Sequence, residues 1–280
     1  MQINAKKSLG QNFLKSKVAL TKMIEAGEVN NTDVILEVGP GKGVLTEKLL
    51  GIAKKVIAVE KDDRLIEFLQ EKFAGEIKNN KLELVHGDIL DFNLSGHQND
   101  TLPLANEREN KYKIIANIPY YITGQFLRKF LETENQPAKI VVMVQKEIAD
   151  RIVARDNKEN LLSLSVKVFG QPKKIMKVDK ENFSPAPKVD SAILLINNIS
   201  KNFFLESKMG EERFFEIIHA GFAHKRKMLI GNLKQWLKKD TSTNERVINL
   251  EEIFTKIKIP TQARSEDLTL TDWTNLLIEL

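Results

Sequence analysis

The chain of 280 residues contains no cysteine, which excludes disulfides and thiolate metal sites together. It has no run of about 18 uncharged apolar residues, the length a membrane span needs. No apolar stretch with a small-residue cleavage site opens the chain, so a cytoplasmic protein is expected. Lys6, Lys7, Lys15 and Lys17 could imitate an organelle transit peptide, but arginine is absent among them. Internal repeats and low-complexity tracts are missing. So is any G-x-x-x-x-G-K-[ST] phosphate loop, which argues against a nucleoside triphosphate held by such a loop.

What is present suits a soluble globular protein: 42% apolar and 29% charged residues. The length allows one large α/β domain and a smaller appendage. A net charge of +5 and a pI near 9.1 are a mild basic excess, compatible with a polyanionic partner. Between Lys225 and Lys239 every charged residue is positive. If that stretch is helical, Lys227, Lys234 and Lys238 share one face while Ile230, Leu233 and Leu237 share another. Lys225, Arg226, Lys227, Lys234 and Lys238 are therefore the candidate contacts to a phosphate backbone, with a solvated helix face as the alternative.

Short β-branched runs alternate with helical patterns: Val34–Val38, Lys55–Val59, Leu82–Val85, Lys113–Ala116 and Ile140–Val144. Such alternation predicts βαβ units and a parallel sheet covered on both faces, with ligands at the carboxyl ends of the strands. Ser163–Phe169 and Val189–Ile196 read as two antiparallel strands finishing the sheet. Asn197–Gly210 reads as a polar linker. Phe214, Phe215, Ile218 and Phe222 then fall on one helical face, so the last ~80 residues are expected to form a small helical domain.

Glu37-Val-Gly-Pro-Gly-Lys-Gly43 follows the first strand, with Gly39 and Gly41 allowing a ligand close to the backbone. Val44 stands where a dinucleotide fingerprint needs glycine. Glu60 ends the second run and can accept ribose hydroxyls. Asp88 follows the third and can accept an adenine amino group while Ile89 packs the ring. Alone, the glycine turn can be a plain tight βα turn and either acid is more often a solvated surface residue; three strand ends in register point to a nucleoside.

Asn117-Ile-Pro-Tyr120 follows the fourth run. An adenine amino nitrogen is a poor nucleophile, and accepting hydrogen bonds from both its protons favours the reactive, pyramidal geometry. The Asn117 side-chain oxygen and the Ile118 carbonyl are the candidate acceptors. Pro119 stiffens the turn, and Tyr120 offers a face for a flipped base. Alignment with a sulfonium methyl would then supply much of the rate, with no general base or metal required. Phe183, exposed-looking before two prolines, is a second candidate wall, with core filling as the alternative.

Leu9-Gly-Gln-Asn-Phe-Leu14, Glu37–Gly43, Gly87-Asp88, Asn117–Tyr120, Phe183–Ser191, His224–Leu229 and Ala263–Leu268, in that order, resemble the ribosomal RNA adenine dimethyltransferase family, the bacterial KsgA group and its eukaryotic and archaeal relatives. The resemblance implies an α/β, Rossmann-like S-adenosylmethionine-dependent methyltransferase sheet with a small all-helical C-terminal domain. It implies a catalytic domain over 1–198 and an RNA-binding one over 199–280. It also implies dimethylation of two adjacent adenosines near the 3′ end of 16S rRNA within the 30S subunit or its precursor, by a monomer. It places Asn12, Leu14, Gly39, Glu60, Asp88 and Asn117 around the cofactor. Gln11 and Asn12 carry no functional signal of their own, since a polar pair there is usually a helix cap. The chain departs from the family pattern at Lys15-Ser-Lys17, in the length of 95–110, in the glycine-free 156–160 loop and at Ser265. A 23S rRNA methyltransferase of the antibiotic-resistance type, a non-enzymatic assembly factor and a DNA adenine methyltransferase remain the competing readings.

Overall fold

The computed structural model describes residues 3–93, 112–207, 209–238 and 249–280. The departure at 95–110 and Lys239 lie outside them. The chain divides into two compact units, Met1–Ala149 with Gly170–Ile199, and Asp150–Phe169 with Ser200–Leu280. Residues 150–169 thus group with the helical segments, and Ile199 with the sheet.

The first unit is built on β1 (Val34–Val38), β2 (Lys55–Glu60), β3 (Leu82–His86), β4 (Lys113–Ala116), β5 (Lys139–Gln145), β6 (Gln171–Val178) and β7 (Ser191–Asn197). Their order across the sheet is β3-β2-β1-β4-β5-β7-β6. The first five are parallel, and β7 runs antiparallel to both β5 and β6. The central strands are buried along nearly their whole length, as a sheet covered on both faces requires. One covering helix, Lys17–Gly27, is capped by the Ser16 hydroxyl and buries Ala19, Leu20 and Met23. Another, Thr123–Glu132, buries Phe126, Leu127, Phe130 and Leu131.

After β3 the chain returns to the other side of β1, so strand order reverses between β1 and β4. Loops leaving these two strands diverge there and open a crevice at the carboxyl edge. The register carries Val38 level with Val59 and Glu60 level with His86, so the turns after β1, β2 and β3 emerge along one rim.

One strand expectation is corrected, while Val189–Ile196 is met by the antiparallel strand Ser191–Asn197. The run Ser163–Phe169 does not extend the sheet; Leu161–Lys167 is a helix. Asn160 caps it with its side chain accepting from the Leu162 and Ser163 amides, and the Ser163 hydroxyl answers from the Asn160 amide in a reciprocal box. The Ser165 hydroxyl folds back on the Leu161 carbonyl, so serines that imitate strand alternation are satisfied locally. The strand that pairs with β7 is Gln171–Val178 instead, at the sheet edge, where Pro172 and a bulge between Lys174 and Met176 are tolerated.

The second unit is helical throughout its described elements. Phe204, Phe214, Ile218, Leu233, Phe254 and Trp273 fill its interior. Phe203, Phe204 and Phe214 meet edge-on, which explains why Asn202–Ser207, expected as linker, is a helix. The basic helix is shorter than expected, running over Leu229–Leu237. Asn232 is buried and donates to the Gly221 carbonyl at 2.6 Å and the His224 carbonyl at 3.3 Å, tying down a turn that holds Lys225, Arg226 and Lys227 outside the helix. Among the described residues no helix is long and apolar enough to cross a membrane.

Candidate active site

A cavity of about 770 Å³, open mouth included, lies at the carboxyl edge of β1, β2, β3 and β4. Its floor is the glycine turn after β1. Gly39 and Gly41 have φ of +64° and +59°, a backbone that L side chains rarely adopt, and they line the cavity with bare main chain. The Gly39 amide donates to the Val59 carbonyl at 2.9 Å, locking the turn to the neighbouring strand.

Glu60 is buried at the end of β2. One carboxylate oxygen accepts from the Lys61 and Asp62 amides, both at 2.9 Å, and the other from the Gly41 amide at 3.2 Å. Three of its roughly four lone-pair sites are thereby filled. Burial pushes its pKa up, and the three amides pull against that shift. The remaining site suits a hydroxyl donor.

Asp88 accepts from the Leu90 amide at 2.9 Å through one oxygen and from the Lys61 ammonium at 2.6 Å through the other. Burial opposes its ionisation, but Lys61 and the Leu90 amide outweigh it and hold the carboxyl below its usual range. Asp88 therefore stays an acceptor, as recognition of an exocyclic amine demands. Ile89 is buried beside it and lines the same wall.

Asn117 follows β4, the first strand beyond the reversal. Its Nδ2 donates to the Asn12 carbonyl at 3.1 Å, leaving Oδ1 as an acceptor. Ile118, Pro119 and Tyr120 continue along the cavity. The Tyr120 hydroxyl meets the buried Ser191 hydroxyl at 2.5 Å, which fixes its ring, and burial pushes its pKa up.

Of the residues singled out in the sequence, Asn12, Gly39, Gly41, Glu60, Asp88, Ile89, Asn117, Ile118, Pro119 and Tyr120 come together around this cavity. Leu14 and Phe183 do not. They pair across a two-residue antiparallel ladder, and Phe183, only 2% exposed, sits in the hydrophobic core. Proline-rich surroundings suggest exposure for Phe183, but the ladder turns its ring inward. The exposed aromatic on the rim is instead Tyr121, 64% accessible, with Gly10 set against its ring. In the sequence a second tyrosine beside Tyr120 adds no new pattern, and a lysine after Glu60 reads as any surface lysine, so neither Tyr121 nor Lys61 stands out there. In the helical unit Lys225, Arg226, Lys227 and Lys238 are exposed, while Lys234 is ion-paired with Glu251.

Beneath the glycine turn, Glu37 is 1% exposed, with one carboxylate oxygen lacking a partner. Burial drives its pKa to about 8, with like-charge repulsion from Glu60 adding to the shift. The folded protein thus holds a proton that the unfolded chain loses above its ordinary value, so stability falls as pH rises from about 5 to about 8, by up to about 1.4 kcal/mol per unit. Glu37→Gln should flatten that slope in melting curves taken across this window. An unchanged slope would show that Glu37 is not protonated in the fold.

A doubly covered sheet in this order, with acid-tipped strands converging on a cavity at its carboxyl edge, is the architecture of an S-adenosylmethionine-dependent methyltransferase. The sequence profile of the ribosomal RNA adenine dimethylase family matches residues 2–269, and the chain belongs to that family. It is 40% identical over 277 residues to ribosomal RNA small subunit methyltransferase A of Dehalococcoides mccartyi, covering 99% of this chain and 89% of that one. The protein of the same name from Fusobacterium nucleatum is 34% identical, over 99% and 98% of the two chains. Among solved structures, a dimethyladenosine transferase from Plasmodium falciparum superposes with a TM-score of 0.77 at 27% identity, over 94% of this chain and 95% of that one. The 23S rRNA methyltransferase ErmE gives 0.73 at 24% identity, over 96% and 99%, a likeness of fold.

Proposed function

We propose that this enzyme dimethylates the N6 amino groups of two adjacent adenosines in the 3′-terminal hairpin loop of 16S rRNA, acting on the 30S subunit or its precursor as a cytoplasmic monomer. The observation that carries the reading is Asn117, whose anchored amide presents an acceptor in the same cavity as Glu60 and Asp88. Glu60 would take a ribose hydroxyl, Asp88 the cofactor's adenine amine, and Ile89 its ring; Asn12, Gly39 and Gly41 would line the rest. S-adenosylmethionine, when bound, supplies a methyl group activated by a positively charged sulfur. Asn117 Oδ1 and the Ile118 carbonyl would accept from the two target N–H groups, sharpening the nitrogen lone pair, while Pro119 keeps the turn rigid. Tyr120, braced by Ser191, would support the base by stacking.

The small-subunit assignment is favoured over the large-subunit one by the names of the two bacterial relatives, each alike over nearly its whole length. The helical unit, with exposed Lys225, Arg226, Lys227 and Lys238, would bind RNA backbone. Lys234 would first have to leave Glu251.

Tritiated methyl transfer to undermethylated 30S subunits, with 50S subunits and duplex DNA as parallel acceptors and nucleoside analysis of the products, tests the whole reading. Dimethyladenosine in the 30S reaction alone is expected. Label in 50S would move the enzyme to the resistance type, and label in DNA to the DNA methyltransferases. Tyr120→Ala should lower transfer about 10-fold, as the loss of one stacking face would. Calorimetry should show S-adenosylmethionine affinity retained; its loss would move Tyr120 to the cofactor side.

A further inference from the structure

The N-terminal residues Leu9–Phe13 line the cavity, and two adjacent residues tie them to its walls. The Gln11 amide group donates to Asp62 Oδ2 at 2.8 Å, while its carbonyl accepts from the Lys6 amide at 2.7 Å. The next residue's carbonyl, that of Asn12, accepts from Asn117 Nδ2 at 3.1 Å, and Gly10 packs on Tyr121.

Asp62 is an unusual anchor. It is only 2% exposed and clamped by Arg64 through Nε at 3.0 Å and Nη2 at 2.7 Å, while its own amide donates to Glu60. The Arg64 guanidinium, against the cost of burial and with help from Gln11, holds its carboxyl down to about 2. Asp62 is thus a permanent anion, wired to Glu60 on one side and to the segment on the other.

A free asparagine amide at the target edge could turn about its last bond and present either oxygen or nitrogen to an incoming base. Only the oxygen activates an amine. The Asn12 carbonyl selects the productive orientation, and Gln11 is its immediate neighbour in the chain. We propose that Gln11 and Asp62 form a positioning pin that holds segment 6–14 against the cavity, so that the Asn12 carbonyl fixes Asn117 with its oxygen toward the target amine. Neither residue touches substrate in this role, and the inference rests on the reading of Asn117 given above.

Gln11→Glu sets a carboxylate against Asp62, with Glu60 adding repulsion and Arg64 and Lys61 the nearby cations. Near pH 8 the two carboxylates repel and the pin opens; near pH 5.5 the introduced group takes up a proton and can again donate, as glutamine does. Relative to the unaltered enzyme at each pH, kcat should fall about 10-fold near pH 8 and recover most of that loss near pH 5.5. Gln11→Met, which cannot titrate, should show the same loss at both. Hydrogen exchange of the amides in 6–14, read without substrate or cofactor, should rise in Gln11→Glu near pH 8 and return near pH 5.5.

Unchanged exchange, or altered exchange with kcat intact, would overturn the pin. If exchange responds as expected but the unaltered enzyme methylates no RNA, the functional reading fails and the pin between Gln11 and Asp62 stands as architecture alone, without its positioning role.

Discussion

Asn117→Ala is expected to lower methyl transfer to rRNA by about 100- to 1,000-fold, the range seen when one preorganised hydrogen-bonding group is removed from a reacting centre. The substitution deletes the only side-chain acceptor among the residues expected to face the target amine, and the nitrogen lone pair stays delocalised in the adenine ring. It also frees the Asn12 carbonyl, so some of the loss comes from slackening of segment 6–14. Because the acids that would hold the cofactor are untouched, S-adenosylmethionine affinity should change by less than about 10-fold. Single-turnover rates with 30S subunits and calorimetry on the same preparation separate the two effects. Near-normal single-turnover rates would remove Asn117 from the mechanism.

Glu60→Gln should weaken S-adenosylmethionine binding by about 100-fold, since a site built to bond a hydroxyl loses both its charge and an acceptor. Glutamine keeps the size but not the pattern. Glu60 accepts three backbone N–H groups on its two oxygens, so an amide placed there must point its NH2 group at one or two of these donors. The turn that shapes the cavity floor would then shift. Global stability should move less, by about 1–2 kcal/mol, because removing a buried charge offsets part of the unsatisfied amides. Calorimetric titration and urea unfolding measure the two quantities. Full affinity with lowered stability would make Glu60 a scaffold for the glycine turn, with another group holding the ribose.

The parallel strands were legible because a run buried on both faces must be apolar and β-branched wherever it occurs. The acids at their ends were legible for the complementary reason. Glu60 and Asp88 directly follow such runs, so chain position alone sets them at the sheet rim. Ser163–Phe169 misled because alternation of serine with Leu and Val is also what a short helix shows when its hydroxyls bond back to its own carbonyls; the deciding signal, Asn160 three residues before Ser163, is a capping pattern rather than a periodicity. Basic residues 225–227 misled differently, since the helix break is imposed by Asn232, a side chain further along the chain.

The sequence by itself determined the class of fold, the nucleoside-binding edge and the family, because burial on two faces, positive-φ glycines and strand-end acids are local requirements written in consecutive residues. Tertiary structure alone decided which aromatic reaches the rim, that Phe183 turns inward against Leu14, and that Gln11 lies on Asp62. Those outcomes depend on pairings between segments about 50 to 170 residues apart, whose partners are chosen by packing and by the satisfaction of buried polar groups rather than by either segment's own propensity.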